Sequence, residues 1–231
     1  QAQTDAVAQQ LLARRRAGAG VGALLAQARN AFAAGRLDEG ENSALPLFQR
    51  VLALQPDNLS ALEGREDALS DLLQEARVQA GQGALAAASD TVQRARRFDP
   101  GHSDLPATQE ALAQATEQRL RQAQRALQRQ QLDAAAEGFL AVLAVTADDA
   151  AAIRGREQTL QALLLRSQRH AEDFQFQAAE HDRGLATALG ASPLALQQDL
   201  QRVQRARQAE QALQLPGQGR AQRERLLRGH L

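Results

Sequence analysis

The stretch ALPLFQRVLALQPDNLSALEGREDAL, residues 44–69, lines up without a gap on AAEGFLAVLAVTADDAAAIRGREQTL, residues 135–160. Phe48 falls on Phe139, Val51 on Val142, Ala61 on Ala152, and Gly64-Arg65-Glu66 on Gly155-Arg156-Glu157. An offset of 91 residues is too long for one helical hairpin, and an intermediate copy fills the gap. There Leu85, Ala88, Val92, Ala95 and Asp99-Pro100 repeat the spacing of Leu37, Ala44, Phe48, Val51 and Gln55-Pro56, once four residues near Glu39 to Asn42 are treated as an insertion. A degraded fourth copy carries Phe176, Ala179, Ala186 and Ser192-Pro193.

The spacing inside each copy is helical. Ala88, Val92 and Ala95, like Ala135, Phe139 and Val142, follow one another by four and three residues, which lines a small residue and larger ones along one stripe. Alanine lets a neighbouring helix approach, and Phe48 or Phe139 fills the groove above it. Pro56 and Pro100 end the short helices, because proline cannot continue them and disfavours helical geometry in the residue before it. Asp57 or Asn58, Ser103 or Asp104, Asp148 or Asp149, and Ser192 then stand where N-caps of the next helix belong. The pattern predicts helices at about 5–16, 22–35, 43–54, 58–81, 84–97, 104–129, 133–146, 149–173, 176–190, 193–213 and 219–228. Gly18-Ala-Gly20-Val-Gly22 reads as a flexible joint between the first two, and Gly81-Gln-Gly83 as the close of a helix.

These residues carry a family resemblance. Written from Ala28, the order of a small residue, Gly35, Leu37, Ala44, Phe48, Val51 and Pro56 resembles the tetratricopeptide repeat consensus. It recurs as Ala76, Gly83, Leu85, Ala88, Val92, Ala95 and Pro100, then as Ala123, Gln130, Leu132, Ala135, Phe139 and Val142, and covers residues 22–213. The repeats start near 28, 76, 123 and 167, a spacing longer than the usual ~34 residues, and the consensus Trp and Tyr are absent. The extra residues lengthen the first helix of each pair. The resemblance implies a right-handed α-α solenoid of about four tetratricopeptide-like hairpins in which long helices alternate with short ones. The expected organisation is an N-terminal helix and joint at 1–21, the repeat array at 22–213, and a tail or capping helix at 214–231. The first copy is also similar to repeat regions of bacterial envelope proteins, which follow a single membrane helix in chains bearing kinase-like or formylglycine-generating-enzyme-like domains.

Composition narrows the chemistry. The 231 residues contain no Cys, Met, Trp or Tyr, which excludes disulfides, thiolate metal sites and a cysteine nucleophile. Twenty-seven basic residues balance 27 acidic ones, and only 3% are aromatic. Such a chain offers neither the positive field nor the stacking platforms that nucleic acid needs. Helix-prone Ala, Leu and Gln dominate, and an all-β fold is nearly excluded. No apolar run reaches bilayer length, so a membrane enters only through a segment outside this chain.

His102, His170, His181 and His230 lack metal-ligand spacing and are expected to be exposed, although His170 and His181 can approach each other across a turn. The carboxylate pairs Asp38-Glu39, Glu66-Asp67, Asp148-Asp149 and Glu172-Asp173 read as caps and solvated faces. Neither a nucleophile elbow nor a phosphate loop occurs, so no catalytic residue, cofactor or metal is expected and the chain is read as non-catalytic. Arg14-Arg15-Arg16 and the group Arg94, Arg96, Arg97 are the basic clusters of note; the first reads as a solvated helix end, with a place after a membrane anchor or against phosphate as the alternative.

The recurring Gly-Arg-Glu is more informative, since glycine within a helix costs about 1 kcal/mol relative to alanine. Close helix crossing offsets that cost, or Arg65 and Arg156 line a groove for a partner. On the second reading Arg65, Glu66, Glu110, Arg156 and Glu157 contact a protein or peptide. The leading expectation is therefore an interaction scaffold or sensor region, periplasmic by resemblance with the cytoplasm as the alternative. The second expectation is a structural module of a cell-envelope or secretion machine that acts through self-association.

Overall fold

The computed structural model describes the backbone of residues 2–214 and the side chains of 18–213. Arg14-Arg15-Arg16 side chains, the helix expected at 219–228 and His230 lie outside the described residues. Nine helices and no strand occur among those described: α1 (Ala2–Ala33), α2 (Ala44–Leu54), α3 (Leu59–Gly81), α4 (Leu85–Phe98), α5 (Leu105–Gln128), α6 (Leu132–Leu143), α7 (Ala150–Glu172), α8 (Phe176–Ala188) and α9 (Pro193–Gln214). From α2 to α9 their lengths run 11, 23, 14, 24, 12, 23, 13 and 22 residues. Short helices thus alternate with long ones, as the repeat spacing predicts. None of the described helices is long and apolar enough to cross a membrane.

The expected joint at Gly18–Gly22 is not a break. α1 runs straight through it, because Val21, Ala28 and Ala31 are buried on one face and Leu24, Leu25 and Phe32 pack beside them. Gly18, Gly20 and Gly22 point into open space, and the burial on the other face offsets their intrinsic reluctance to be helical. The caps fall where polar residues precede the long helices. Asn58 Oδ1 accepts from the Ala61 amide at 3.0 Å, Asp149 Oδ1 accepts from Ala151 and Ala152, and Ser192 Oγ accepts from Ala195.

Every turn from a long helix to the following short one closes alike. Gly35, Gly83, Gln130 and Phe174 all adopt positive φ, at 70°, 81°, 59° and 56°. In each case the residue after it donates back to a carbonyl five positions earlier, from Arg36 to Ala31, Ala84 to Gln79, Gln131 to Ala126 and Gln175 to His170. The left-handed residue itself donates to the carbonyl three positions back. This is a Schellman cap, which satisfies the last carbonyls of the helix while reversing the chain. The four left-handed residues are the repeat's turn position, so the periodicity read from side chains is also present in the backbone.

Contacts divide the chain into two compact units, Gln1–Ala115 and Thr116–Leu231, with the boundary inside α5. In the first, one continuous core joins Leu45, Phe48 and Val51 of α2 to Leu69, Leu72 and Leu73 of α3 and Val92 of α4. In the second, the apolar core falls into three smaller clusters, centred on Phe139, Leu163 and Val203. The polar residues buried among these elements are Thr159, Ser167, Asp182 and Asp199.

Glycine accepts the left-handed conformation freely, whereas a side-chain-bearing residue is strained there by roughly 1 kcal/mol. Gln130→Gly is therefore expected to raise unfolding stability by about 0.5–1 kcal/mol, and Gly83→Ala to lower it by a similar amount. Urea denaturation followed by circular dichroism checks both, and a Gln130→Gly chain less stable than its parent would contradict the turn geometry.

Candidate functional site

The glycines of the recurring Gly-Arg-Glu lie against rings. A β-carbon on Gly64 would collide with Cζ and Cε1 of Phe48, and one on Gly155 would collide with the same atoms of Phe139. Phe48 is 1% exposed and Phe139 is fully buried. Each ring thus crosses from a short helix onto the bare backbone of the next long helix, which explains why both copies keep glycine there. A third close approach joins α6 to α5, where a β-carbon on Gly138 would sit 2.6 Å from Ala123 Cβ.

The arginines beside these glycines are not equivalent. Arg65 Nη2 lies 3.5 Å from Asp99 Oδ2, and its buried Nε has no hydrogen-bond partner. Glu66 Oε1 lies 3.2 Å from Nε2 of His102. In the first unit these two residues thus tie α3 to the turn after α4. In the second unit the position corresponding to Asp99 is Gly190, so Arg156 lacks that tie, and among the described residues its ion-pair partner is Glu157, at 4.0 Å. Glu110 is exposed and accepts from Gln114. Of the five expected contact residues, Arg65, Glu66 and Glu110 belong to the first unit and Arg156 and Glu157 to the second.

His102 corrects the expectation that the histidines are exposed, for it is 3% exposed. Its Nδ1 accepts from the Asp104 amide at 3.1 Å, just before α5 begins. That bond lets the ring substitute for a side-chain cap in a turn where Pro100 and Gly101 supply none. His170 and His181 do not pair with each other. They join Asp182 and Asp133, at 3.0 Å and 2.6 Å. Among the described residues no cluster of three His, Asp or Glu is arranged to hold a metal ion.

A groove of about 270 Å³ opens in the second unit between the C-terminal half of α5 and the N-terminal half of α7. Gln124, Leu127 and Gln128 form one wall, Arg154 and Gln158 the other, and Phe139 with Ala151 and Gly155 forms the floor. The small residues Ala151 and Gly155 stand one turn apart and leave the space open. Gln124 and Gln128, and Arg154 and Gln158, each stand four apart, so each pair presents one face of its helix. These five wall residues lie outside the expected set. The signal that points to them is the spacing of long polar side chains by four beside a helical glycine. Arg154 is exposed and makes no ion pair among the described residues, and no acidic residue lines the groove.

Other arginines brace the short helices. Arg94 of α4 pairs with Asp38 in the turn after α1 and with Asp90 on its own helix. Arg166 of α7 donates to both oxygens of Asp182 on α8 and reaches Asp133 on α6 at 2.7 Å. The hydrogen bond from Arg166, joined by that of His181, holds the Asp133 carboxyl below the usual range. The hydrogen bond to Asp182 raises the pKa of Arg166 further. Asp182 is 1% exposed, whereas its partner Arg166 is only partly buried.

No family model matches the chain, and neither a curated protein nor a solved structure does.

Because Arg65 is tied to Asp99 and Arg156 is not, Arg65→Gln is expected to lower stability by about 1 kcal/mol. Arg156→Gln is expected to change it by less than about 0.5 kcal/mol. Paired thermal melts check this, and equal losses would show that the two positions share one environment.

Proposed function

We propose that this chain is a non-catalytic interaction module, a right-handed α-α solenoid of tetratricopeptide-like hairpins that binds an acidic peptide or protein segment. The observation that supports it is the groove between α5 and α7, whose walls are polar apart from Leu127 and whose lining carries one formal charge, on Arg154. A wall of Gln124, Gln128 and Gln158 can donate to and accept from a peptide backbone. An unpaired guanidinium can make paired charge-assisted bonds to a carboxylate. An apolar groove would instead favour burial against a second copy and an assembly role. The setting in this reading is the bacterial envelope, on the resemblance of the first repeat alone, as part of a membrane-anchored protein outside the bilayer. In the same reading Arg156 and Glu157, which do not line the groove, take no part in the contact, while Arg65 and Glu66 tie α3 to the turn after α4.

Selection of a displayed peptide library on the whole chain tests this. Enriched sequences are expected to carry Asp or Glu, and Arg154→Gln is expected to weaken their binding about tenfold, as loss of one charge-assisted hydrogen bond does. Raising salt should weaken the wild-type complex more than the variant's. Undiminished binding by a folded Arg154→Gln chain would remove this groove from the function.

A further inference from the structure

The turn between α1 and α2 differs from the other three of its kind. α3, α5 and α7 each reach the next short helix across three residues, whereas ten residues, 34–43, separate α1 from α2. The excess is a loop with a closed neck. The carbonyls of Arg36 and Leu37 accept from the amides of Ala44 and Leu45, each at 2.9 Å, so residues 38–43 leave the repeat and return close to their point of departure. The interior of the loop is braced as well. The Gly40 amide donates to the Asp38 carbonyl, and the amide and hydroxyl of Ser43 both donate to the Gly40 carbonyl. Gly40 has a φ of 124°, which glycine adopts without strain. The Asp38 carboxylate is taken by Arg94 of α4. That leaves Glu39, Gly40, Glu41 and Asn42 exposed at the tip, and neither glutamate makes an ion pair among the described residues. The other three turns close without such a loop, and compact loops with closed necks frequently carry function.

The two units also differ in charge. Residues 1–115 carry 14 acidic and 11 basic side chains, and residues 116–231 carry 13 and 16. The neutrality of the whole chain thus conceals an acidic unit, which bears the loop, and a basic one, which bears the groove between α5 and α7. The groove offers one guanidinium, three side-chain amides and no carboxylate. Its volume is about 270 Å³. One turn of helix, about 10 Å across and about 5.4 Å long, occupies more than that, so the groove suits the tip of a tight turn. Other carboxylates are already committed: Asp149 caps α7, Asp99 holds Arg65 and Asp182 holds Arg166.

We propose that this chain associates head to tail with a second copy of itself, the acidic loop 38–43 of one copy entering the α5–α7 groove of the next. The inference rests on the reading of that groove as one that binds carboxylates, and it names the partner. Arg154 takes Glu39 or Glu41 in a charge-assisted pair, and Gln124, Gln128 and Gln158 bond the backbone of the tip, where Gly40 presents no side chain to hold the copies apart. Because the loop is already fixed by its own hydrogen bonds, little freedom is lost on docking. Loop and groove are different surfaces, so a pair of copies leaves one of each unused. The contact is heterologous, and the assembly grows beyond two copies unless a ring closes.

Equilibrium sedimentation of the whole chain over rising concentration, at low and at high salt, tests this. At low salt the average mass is expected to climb with concentration past that of two chains, and to fall back as salt screens the charge pair. Arg154→Gln, and separately the double change Glu39→Gln and Glu41→Gln, should each weaken association about tenfold. An equimolar mixture of the two variants should recover pairing but stop at two chains, since it sets one intact loop against one intact groove. Circular dichroism checks that each variant folds; should one fail, the other variant and the salt dependence of the parent still decide. The proposal is overturned if the parent keeps the mass of one chain at every concentration, if the loop variant associates as the parent does, or if the mixture does not pair. A chain that stays single yet captures acidic displayed peptides through Arg154 would overturn this choice of partner and leave the groove reading standing. If Arg154→Gln changes neither association nor peptide capture, both readings fall.

Discussion

Two contacts of a phenyl ring on bare helical backbone organise the chain. Phe48 on Gly64 and Phe139 on Gly155 set how closely each short helix lies on the long helix that follows. A side chain at either glycine would hold the helices apart, and the buried alanines around them, Ala44 and Ala61 in one unit and Ala135 and Ala152 in the other, would lose their contacts. Close approach matters more here than in a chain rich in large residues. With alanine supplying so many core positions, dispersion contacts accumulate only if backbones come near one another. The groove beside Arg154 is a by-product of the same feature, since Gly155 and Ala151 leave its floor low.

The order of helices was legible because their ends carry strong local chemistry. Pro56 stops α2, Asn58 and Asp149 cap α3 and α7, and glycines at 35 and 83 occupy left-handed turns. Where the chain uses ordinary residues for those jobs, the signal weakens. Gln130 and Phe174 adopt the same conformation without any hint in their side chains, and only the repeat register reveals them. The glycines at 18, 20 and 22 erred the other way. They look like a joint, but tertiary burial of Val21 and Ala28 keeps α1 continuous.

The candidate site was less legible for a geometric reason. A helix turns about 100° per residue, so the neighbours of one glycine face different directions. Recurrence favoured Arg65 and Arg156, the residues just after the two glycines, whereas the groove takes Arg154, the residue just before. Recurrence in sequence also concealed a difference in partners, because Asp99 on another element holds Arg65 whereas, among the described residues, Arg156 pairs with its own neighbour Glu157. His102 was misjudged because its burial depends on an amide at Asp104 and a carboxylate on α3, neither visible in residue spacing.

The dependence of both units on ring-to-glycine contact can be measured as a coupling energy. Gly155→Ala, Phe139→Leu and the double variant form a cycle, read by urea denaturation, in which leucine removes the ring atoms that a new β-carbon would meet. Gly155→Ala alone is expected to destabilise the parent by about 1–3 kcal/mol, despite the better helix propensity of alanine, and to be neutral or stabilising in the Phe139→Leu background, where the shorter side chain leaves room for the added methyl. A coupling of at least about 1 kcal/mol is the expected result. Additive effects, with Gly155→Ala stabilising both backgrounds equally, would contradict the central role of this contact.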